Sequence, residues 1–219
     1  MELVNTINKL KPQIIKDVSI VLTSIGSNID NYTIAWEQLQ YISSSKLINL
    51  LKDRLPENCI ISSPTSKSTY PDIKIETEYG NYAIDIKANE RSKEPWFDMG
   101  RLDTLKEKRL DKYIEEWKLV IKYDSIKNKF IKAYFLLFRE AVGIREECQG
   151  LKYRPYDGKI RPKNWVDFEN EKVYWNTKND FLGGLRKSIL NRWENNIKKH
   201  LISQLSKDEK NQFRNLFDE

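Results

Sequence analysis

The sequence predicts an α/β protein in which a mixed central β-sheet is flanked by helices, and two periodicities lead to that prediction. Residues 73–78 and 82–88 alternate apolar and polar side chains, as β-strands do. Apolar side chains recur at helical spacing within 1–24 and 180–205. The order of helices, hairpin, helix, strands and helix over 219 residues is typical of one domain with a sheet between helical layers.

The segments before the hairpin are predicted to be mainly helical. A helix over 1–24 contains Pro12, where it is expected to kink or split. A helix or helix pair follows over 33–55, with an apolar face. A short strand at 59–62 and a polar loop over 63–69 then lead into the hairpin.

The second half of the chain is predicted to alternate helices and strands. Asp98 is expected to cap a helix that runs to Trp117. A long helix is expected over 180–205, and Gly183 and Gly184 near its start predict a close approach of its backbone to another element. The strands expected between these two helices cover residues 118–123, 130–139 and 172–175.

Composition narrows the class of protein. With 39% hydrophobic and 11% aromatic residues the chain is expected to be globular, and no apolar run is long enough for a membrane span. The first residues lack a basic region followed by an apolar stretch, so no secretory signal is expected. Cys59 and Cys148 are isolated, which disfavours a disulfide framework or a zinc site and favours a reducing cytoplasm. The many Lys, Asn and Ile residues favour an AT-rich bacterial genome.

The net charge of +6 favours a polyanionic partner, and much of it lies in one segment. Residues 151–165 contain five basic residues against one acid, with aromatic residues, prolines and a glycine between them. Such a segment suits a loop that grips phosphates and reaches base edges, and it equally suits a solvated surface loop. The nucleic-acid contacts predicted here are Lys152, Arg154, Lys159, Arg161, Lys163 and Asn164.

The hairpin is predicted to gather charged residues on one face. A two-residue turn at Tyr79 and Gly80 would set Lys74 opposite Asp85 and Asp72 opposite Lys87. Asp72, Asp85 and Lys87 then share a face, while the isoleucines of the strands turn into the core. A bulge or a three-residue turn would break this parity.

Two carboxylates and a lysine on one face can bind a divalent metal and orient a water against a phosphodiester. The short pattern is common, because an acid, any residue and a lysine occur in that order five times in this chain. Asp85-Ile86-Lys87 differs in lying in an alternating strand whose partner begins at Pro71-Asp72. An ordinary amphipathic hairpin with a solvated charged face is the alternative.

The single histidine, His200, excludes several kinds of nuclease. Metal nucleases of the ββα type need several histidines, phospholipase-D-like nucleases need one in each half-site, and zinc hydrolases rely on histidine or cysteine ligands. A nuclease built from this sequence must therefore use carboxylates and lysine with a hard cation such as Mg²⁺.

At these residues the chain resembles the type II restriction endonucleases of the PD-(D/E)xK superfamily, and among them the EcoRV-like branch. The resemblance covers Tyr70 to Lys87 and includes Tyr70-Pro71-Asp72 and Ile84-Asp85-Ile86-Lys87. It implies a restriction-endonuclease-like core and a homodimer that clasps double-stranded DNA. Such an enzyme cuts both strands with Mg²⁺, leaves 5′-phosphate ends and needs no nucleotide cofactor.

The resemblance also implies roles for particular residues. Asp72, Asp85 and the carbonyl of Ile86 match the metal ligands, and Lys87 matches the catalytic lysine. Glu37 is the candidate for a further acid on an upstream helix, or else an exposed helix charge. The loop that enters the minor groove in that branch corresponds to Ser66, Lys67, Ser68 and Thr69.

Three other interpretations remain open at this stage. A strand-nicking repair endonuclease or a junction resolvase would share the site and differ in substrate and oligomeric state. A non-catalytic DNA-binding protein could keep the fold, although the intact set of two carboxylates and a lysine argues against it. A generic α/β protein with a basic surface would have no affinity for DNA.

Overall fold

The computed structural model describes residues 2–26, 36–64, 70–90, 94–105, 112–124, 126–127 and 129–204. Its centre is a mixed five-stranded sheet in the order β1-β2-β3-β4-β5, in which β3 and β4 are parallel and the other neighbours are antiparallel. Helices lie on both faces of this sheet, which confirms the predicted fold class. The strands are β1 (Ile60–Ser62), β2 (Ile73–Thr77), β3 (Gly80–Glu90), β4 (Glu115–Asp124) and β5 (Lys129–Leu137).

One face of the sheet is covered by the two N-terminal helices, α1 (Glu2–Gly26) and α2 (Trp36–Arg54). The helix α1 runs unbroken past Pro12, and α2 runs unbroken past the serines at 43–45. The buried apolar side chains of this layer are Ile7, Ile14, Val18, Leu22, Leu47 and Leu51 from the helices and Ile73, Ile75, Ile84 and Ile86 from the hairpin.

The other face is covered by the rest of the chain. In order, this layer contains α3 (Leu102–Thr104), α4 (Phe138–Ala141), the two-stranded sheet of β6 (Ile144–Arg145) and β7 (Gly150–Leu151), α5 (Trp165–Glu169) and α6 (Lys178–Gln204). Only the first half of α6 is buried, through Phe181, Leu185 and Ile189. No helix among the described residues is long and apolar enough to cross a membrane.

Two predicted elements are wrong. Of the helix expected over 98–117, residues 106–111 lie outside the described residues, and the described parts form the short α3 and the start of β4, where Trp117 is a buried strand residue. A strand buried on both faces lacks the alternation that marks exposed strands, so its first residues were easily read as helical. The strand expected at 172–175 is irregular backbone, and its Trp175 packs against α6 instead.

The predicted close approach at Gly183-Gly184 is confirmed at Gly184. A Cβ at this position would lie 2.4 Å from the Trp175 ring, so only glycine fits without a shift. No atom lies within 4 Å of a Cβ built on Gly183. This contact packs α6 against the segment that precedes it, within the apolar core on that face of the sheet.

Candidate active site

The predicted hairpin is present, with its register shifted by two residues. Thr77 pairs with Gly80, so Glu78 and Tyr79 form the turn, and Lys74 pairs with Ala83 rather than Asp85. Continuing that pairing by one residue places Asp72 opposite Asp85 instead of Lys87. Because the shift is an even number of residues, the parity is kept and the same residues share the face.

The position of the turn depends on Gly80. Its φ of +135° lies outside the range that other residues adopt readily. A Cβ there would also lie 2.9 Å from the Ile114 side chain. The Thr77 hydroxyl donates to the Gly80 carbonyl at 3.0 Å and accepts the Tyr79 N–H at 3.2 Å, which closes the turn.

Asp85 is buried on the face opposite the isoleucines and is held by two lysines. The Lys87 ammonium lies 3.1 Å from its Oδ1. The Lys118 ammonium donates to its Oδ2 from the neighbouring strand β4, where the parallel register pairs Asp85 with Lys118. The Lys118 side chain is fully buried, whereas that of Lys87 is 26% exposed. Asp85 therefore has one lysine fixed in the core and one that reaches solvent.

Asp72 lies beside Asp85 and accepts the Ile86 backbone N–H on Oδ2 at 2.6 Å. Burial, together with the negative charge of Asp85, raises the pKa of Asp72 to about 6. Burial acts on Asp85 in the same direction, but Lys118 and Lys87 outweigh it and hold the pKa of Asp85 well below its usual range. Two neighbouring carboxylates thus differ strongly in proton affinity, which is frequent in catalytic pairs.

Helix α2 reaches the site through Gln40. Its Nε2 donates at 2.6 Å to the carbonyl of Ile86, the oxygen predicted to bind metal. Glu37, the predicted acid on this helix, precedes Gln40 by three residues, and its side chain lies outside the described residues. The role of Glu37 therefore stays a prediction, and the contact that the structure shows from this helix comes from the amide of Gln40.

Aromatic rings and a further acid enclose the buried lysine. The Lys118 ammonium lies 5.2 Å from the ring centroids of Tyr70 and Phe138. The Tyr70 hydroxyl donates to Glu116 Oε2, and Glu116 is buried. Such surroundings exclude water and strengthen the ion pair with Asp85.

Sequence reasoning missed Lys118 and Glu116, although a signal was present. Glu116-Trp117-Lys118 is one of the five strings with an acid, any residue and a lysine. It stands in the strand that pairs with the Asp85-Ile86-Lys87 strand, in register with Ala83 to Asp85. Two such strings in successive strands of one sheet would have been the useful pattern.

Most lysines and arginines of residues 151–165, here called the basic segment, form ion pairs with acidic residues. Lys152 pairs with Glu94 at 2.7 Å, Arg154 with Asp157, and both Lys159 and Arg161 with Asp98. Three of these pairs join the segment to a different stretch of chain, and the charge excess that stood out in the sequence is partly neutralised there. Arg161 is almost completely buried.

Lys163 and Asn164 have structural roles. The Lys163 ammonium is buried and donates to the Lys172 carbonyl at 2.6 Å, and burial lowers its pKa to about 8. The Asn164 side chain accepts the Asp167 N–H at 2.8 Å and caps α5. Both side chains thus have partners within the fold, and their contacts with DNA stay predictions. Ser66, Lys67, Ser68 and Thr69 lie outside the described residues.

The donors near Asp85 fit a hard divalent cation in part. Asp72 and Asp85 supply neighbouring carboxylate oxygens, the ligand type that Mg²⁺ prefers, and the pKa of Asp72 is raised by burial and then by the negative charge of Asp85, which a cation would neutralise. The Ile86 carbonyl already accepts from Gln40. Within the described part of the chain, no group of three or more His, Cys, Asp or Glu is arranged to hold a metal. Water or substrate oxygens would complete the shell, as is usual for Mg²⁺.

Comparison with solved structures finds similarity in fold. The chain is similar to the solved structure of NlaIV restriction endonuclease, with a TM-score of 0.48 and 18% sequence identity over 81% of this chain and 80% of that one. A likeness of this size does not establish shared chemistry, which depends on the site. No family model matches the sequence. No curated protein matches it either.

Proposed function

We propose that this protein is a type II restriction endonuclease of the PD-(D/E)xK superfamily, which hydrolyses both strands of double-stranded DNA with Mg²⁺ and leaves 5′-phosphate ends. The observation that carries the proposal is the set of Asp72, Asp85 and Lys87 on one face of the hairpin, with the carboxylates adjacent and a lysine on Asp85. A solvated amphipathic face would leave these groups in water, whereas Asp85 is buried.

In this proposal Asp72 and Asp85 hold Mg²⁺, which when bound neutralises phosphate charge and lowers the pKa of a water. Asp72 contributes only when it has lost its proton, since a protonated carboxyl is a poor ligand. The hydrogen bond from the Ile86 N–H fixes one Asp72 oxygen and leaves the other for the cation. Gln40 holds the Ile86 carbonyl and so keeps the middle of the strand in place between the two catalytic side chains.

The two lysines have separate roles. Lys87 is partly exposed, so its ammonium can leave Asp85 and hold or help deprotonate the attacking water. Lys118 is fully buried and serves to fix the position of Asp85. Removing either lysine therefore has a different consequence, and this distinguishes catalysis from support.

A homodimer that surrounds double-stranded DNA is the proposed assembly. The second half of α6 is exposed on all sides over residues 193–201. It carries the apolar side chains Leu190, Trp193, Ile197 and Leu201 at helical spacing. Such a stripe favours a partner, and a second copy of the chain is the simplest one for a protein that cuts both strands. Lys152, Arg154 and Lys159 remain the proposed phosphate contacts.

Incubation of the purified protein with unmodified bacteriophage DNA tests the proposal, with Mg²⁺ in one sample and EDTA in the other. Discrete fragments that form only with Mg²⁺, and whose ends carry 5′-phosphates, are expected. A smear would indicate a non-specific nuclease, and nicked circular DNA from a monomer would indicate the strand-nicking alternative. DNA that stays intact with Mg²⁺ across several unmodified genomes would contradict the proposal.

A further inference from the structure

Two exposed aromatic rings stand over arginines on the surface formed by residues 94–101 and 152–161. Trp96 is 62% exposed and Tyr156 is 72% exposed. The Arg161 guanidinium lies 4.2 Å from the centroid of the Trp96 ring. The Arg154 guanidinium lies 4.5 Å from the Tyr156 ring and 6.0 Å from the Trp96 ring. We call Trp96, Tyr156, Arg154 and Arg161 the aromatic platform.

The platform is held rigidly from below. Arg161 is almost completely buried and bonds to Asp98 at 2.7 Å, and the Arg154 Nε bonds to Asp157 at 2.9 Å. The backbone N–H of Trp96 donates to Asn89 Oδ1 at 3.1 Å. Fixed rings lose little conformational entropy when a flat partner stacks on them.

The ion pairs decide which part of a nucleic acid fits. Asp157 pairs with Arg154, and Asp98 pairs with both Arg161 and Lys159, so most of the positive charge at the platform is already paired. The exposed features are the faces of the Trp96 and Tyr156 rings, whereas the Arg161 Nε and Nη2 atoms are buried. Exposed aromatic faces stack on nucleobases of any sequence.

We infer that the aromatic platform binds unstacked bases of a single DNA strand. This inference rests on the proposed function only for the identity of the polymer as DNA. Asn89, which holds Trp96, lies four residues after Asp85 on β3, on the same side of the strand. At about 3.3 Å per residue, Asn89 lies about 13 Å along β3 from Asp85, so one strand carries both the hairpin face and the residue that holds the Trp96 backbone.

Fluorescence anisotropy with a labelled oligothymidine of about 15 nucleotides tests the inference. A duplex of the same length is measured beside it, both in EDTA so that no cleavage occurs. Trp96→Ala and Tyr156→Ala are expected to weaken binding of the single strand by about ten-fold and binding of the duplex by less. Trp96→Phe is expected to keep most of the affinity, because phenylalanine retains a ring.

Tyr41→Ala is the matched control, since Tyr41 is a 75% exposed tyrosine on α2, on the other layer of the molecule. It is expected to bind both DNAs like the unmodified protein. Circular dichroism checks that each variant is folded, and Tyr156→Ala and Trp96→Phe keep the test decisive if Trp96→Ala does not fold. Single-strand binding unchanged in Trp96→Ala and Tyr156→Ala would overturn the inference. So would equal losses for single strand and duplex, or preference for a proline-rich peptide over DNA.

The outcome is separable from that of the proposed nuclease. Asp85→Asn is expected to remove cleavage and leave single-strand binding unchanged, because Asp85 lies outside the platform. Ring-dependent binding in a protein that never cuts DNA would support the platform and contradict the nuclease. Cleavage without ring-dependent binding would support the nuclease and contradict the platform.

Discussion

The hairpin face and the basic segment contain most of the charged residues that stand out in the sequence, and they hold their charges in opposite ways. On the hairpin face, Asp85 is buried between Lys87 and Lys118, and Asp72 beside it has a pKa raised to about 6. In the basic segment, Lys152 and Lys159 form ion pairs with Glu94 and Asp98 close to solvent.

The difference shows which kind of charged cluster indicates chemistry. Ion pairs near the surface stabilise a fold by little and are cheap to form. Burying charged groups costs free energy even when they pair with one another, so buried charge clusters are often found at functional sites. The predictions below test whether the charges of the hairpin face are functional and whether those of the basic segment are ordinary surface ion pairs.

The largest effect is expected from Lys87→Ala. Loss of the lysine that faces solvent should reduce the cleavage rate by about a hundred- to ten-thousand-fold, with DNA binding retained. Single-turnover rates on a plasmid with Mg²⁺ measure this. Lys74→Ala is the control, because Lys74 lies on the same face of the hairpin and pairs with Glu76. Full activity in Lys87→Ala, with activity lost in Lys118→Ala, would move the catalytic role to Lys118.

Lys118→Met should reduce the free energy of unfolding by about 3–5 kcal/mol, because it leaves Asp85 buried with only one lysine. Urea denaturation measures the change. The double variant Asp85→Leu with Lys118→Met should recover most of the loss, since the two fully buried charges are then gone and Lys87 reaches solvent. Lys74→Met should change stability by less than about 1 kcal/mol. Equal effects of Lys118→Met and Lys74→Met would contradict the distinction between the two regions.

The pH dependence of Mg²⁺ binding should follow Asp72. Its folded pKa of about 6 is raised, so below pH 6 the cation must displace a proton, and affinity should fall by about ten-fold per pH unit. Above pH 6 affinity should level off. In the cation-free protein the same shift costs stability as pH rises through 6, because the folded state releases this proton later than the unfolded chain does. Calorimetric titration of Mg²⁺ at several pH values checks this, and Asp72→Asn should abolish the dependence.

The smallest effect is expected in the basic segment. Arg154→Ala or Lys159→Ala should weaken duplex binding by only a few-fold and lower the slope of affinity against salt by about one. Anisotropy at several salt concentrations measures both quantities. Lys52→Ala, an exposed lysine on α2, serves as control. If affinity and salt slope stay unchanged in both variants, the segment is a solvated surface.

Sequence periodicity predicted the parity of the hairpin but not its register. Parity follows from alternation within each strand, so Asp72, Asp85 and Lys87 could be assigned to one face. The register depends on Gly80, whose position is restricted by Ile114, more than thirty residues later in the chain. Lys118 could not be distinguished from other lysines, because its contact with Asp85 depends on the parallel pairing of β3 with β4, which lie far apart in the sequence.

The basic segment also depends on tertiary contacts that the sequence does not predict. Local composition showed the excess of lysine and arginine, but the acids that neutralise it come from residues 94–98 as well as from Asp157. The burial of Lys163 and the capping role of Asn164 likewise depend on tertiary packing. Charge patterns read along the chain therefore predict a location better than they predict availability to a ligand.

The most direct test compares Asp85→Asn with Asp157→Asn in cleavage of unmodified bacteriophage DNA with Mg²⁺. Both acids precede a lysine by two residues, and one belongs to each region. The hairpin face is predicted to be the active site, so Asp85→Asn should lose cleavage while keeping DNA binding, and Asp157→Asn should cut like the unmodified protein. Cleavage retained in Asp85→Asn, or lost only in Asp157→Asn, would contradict this account.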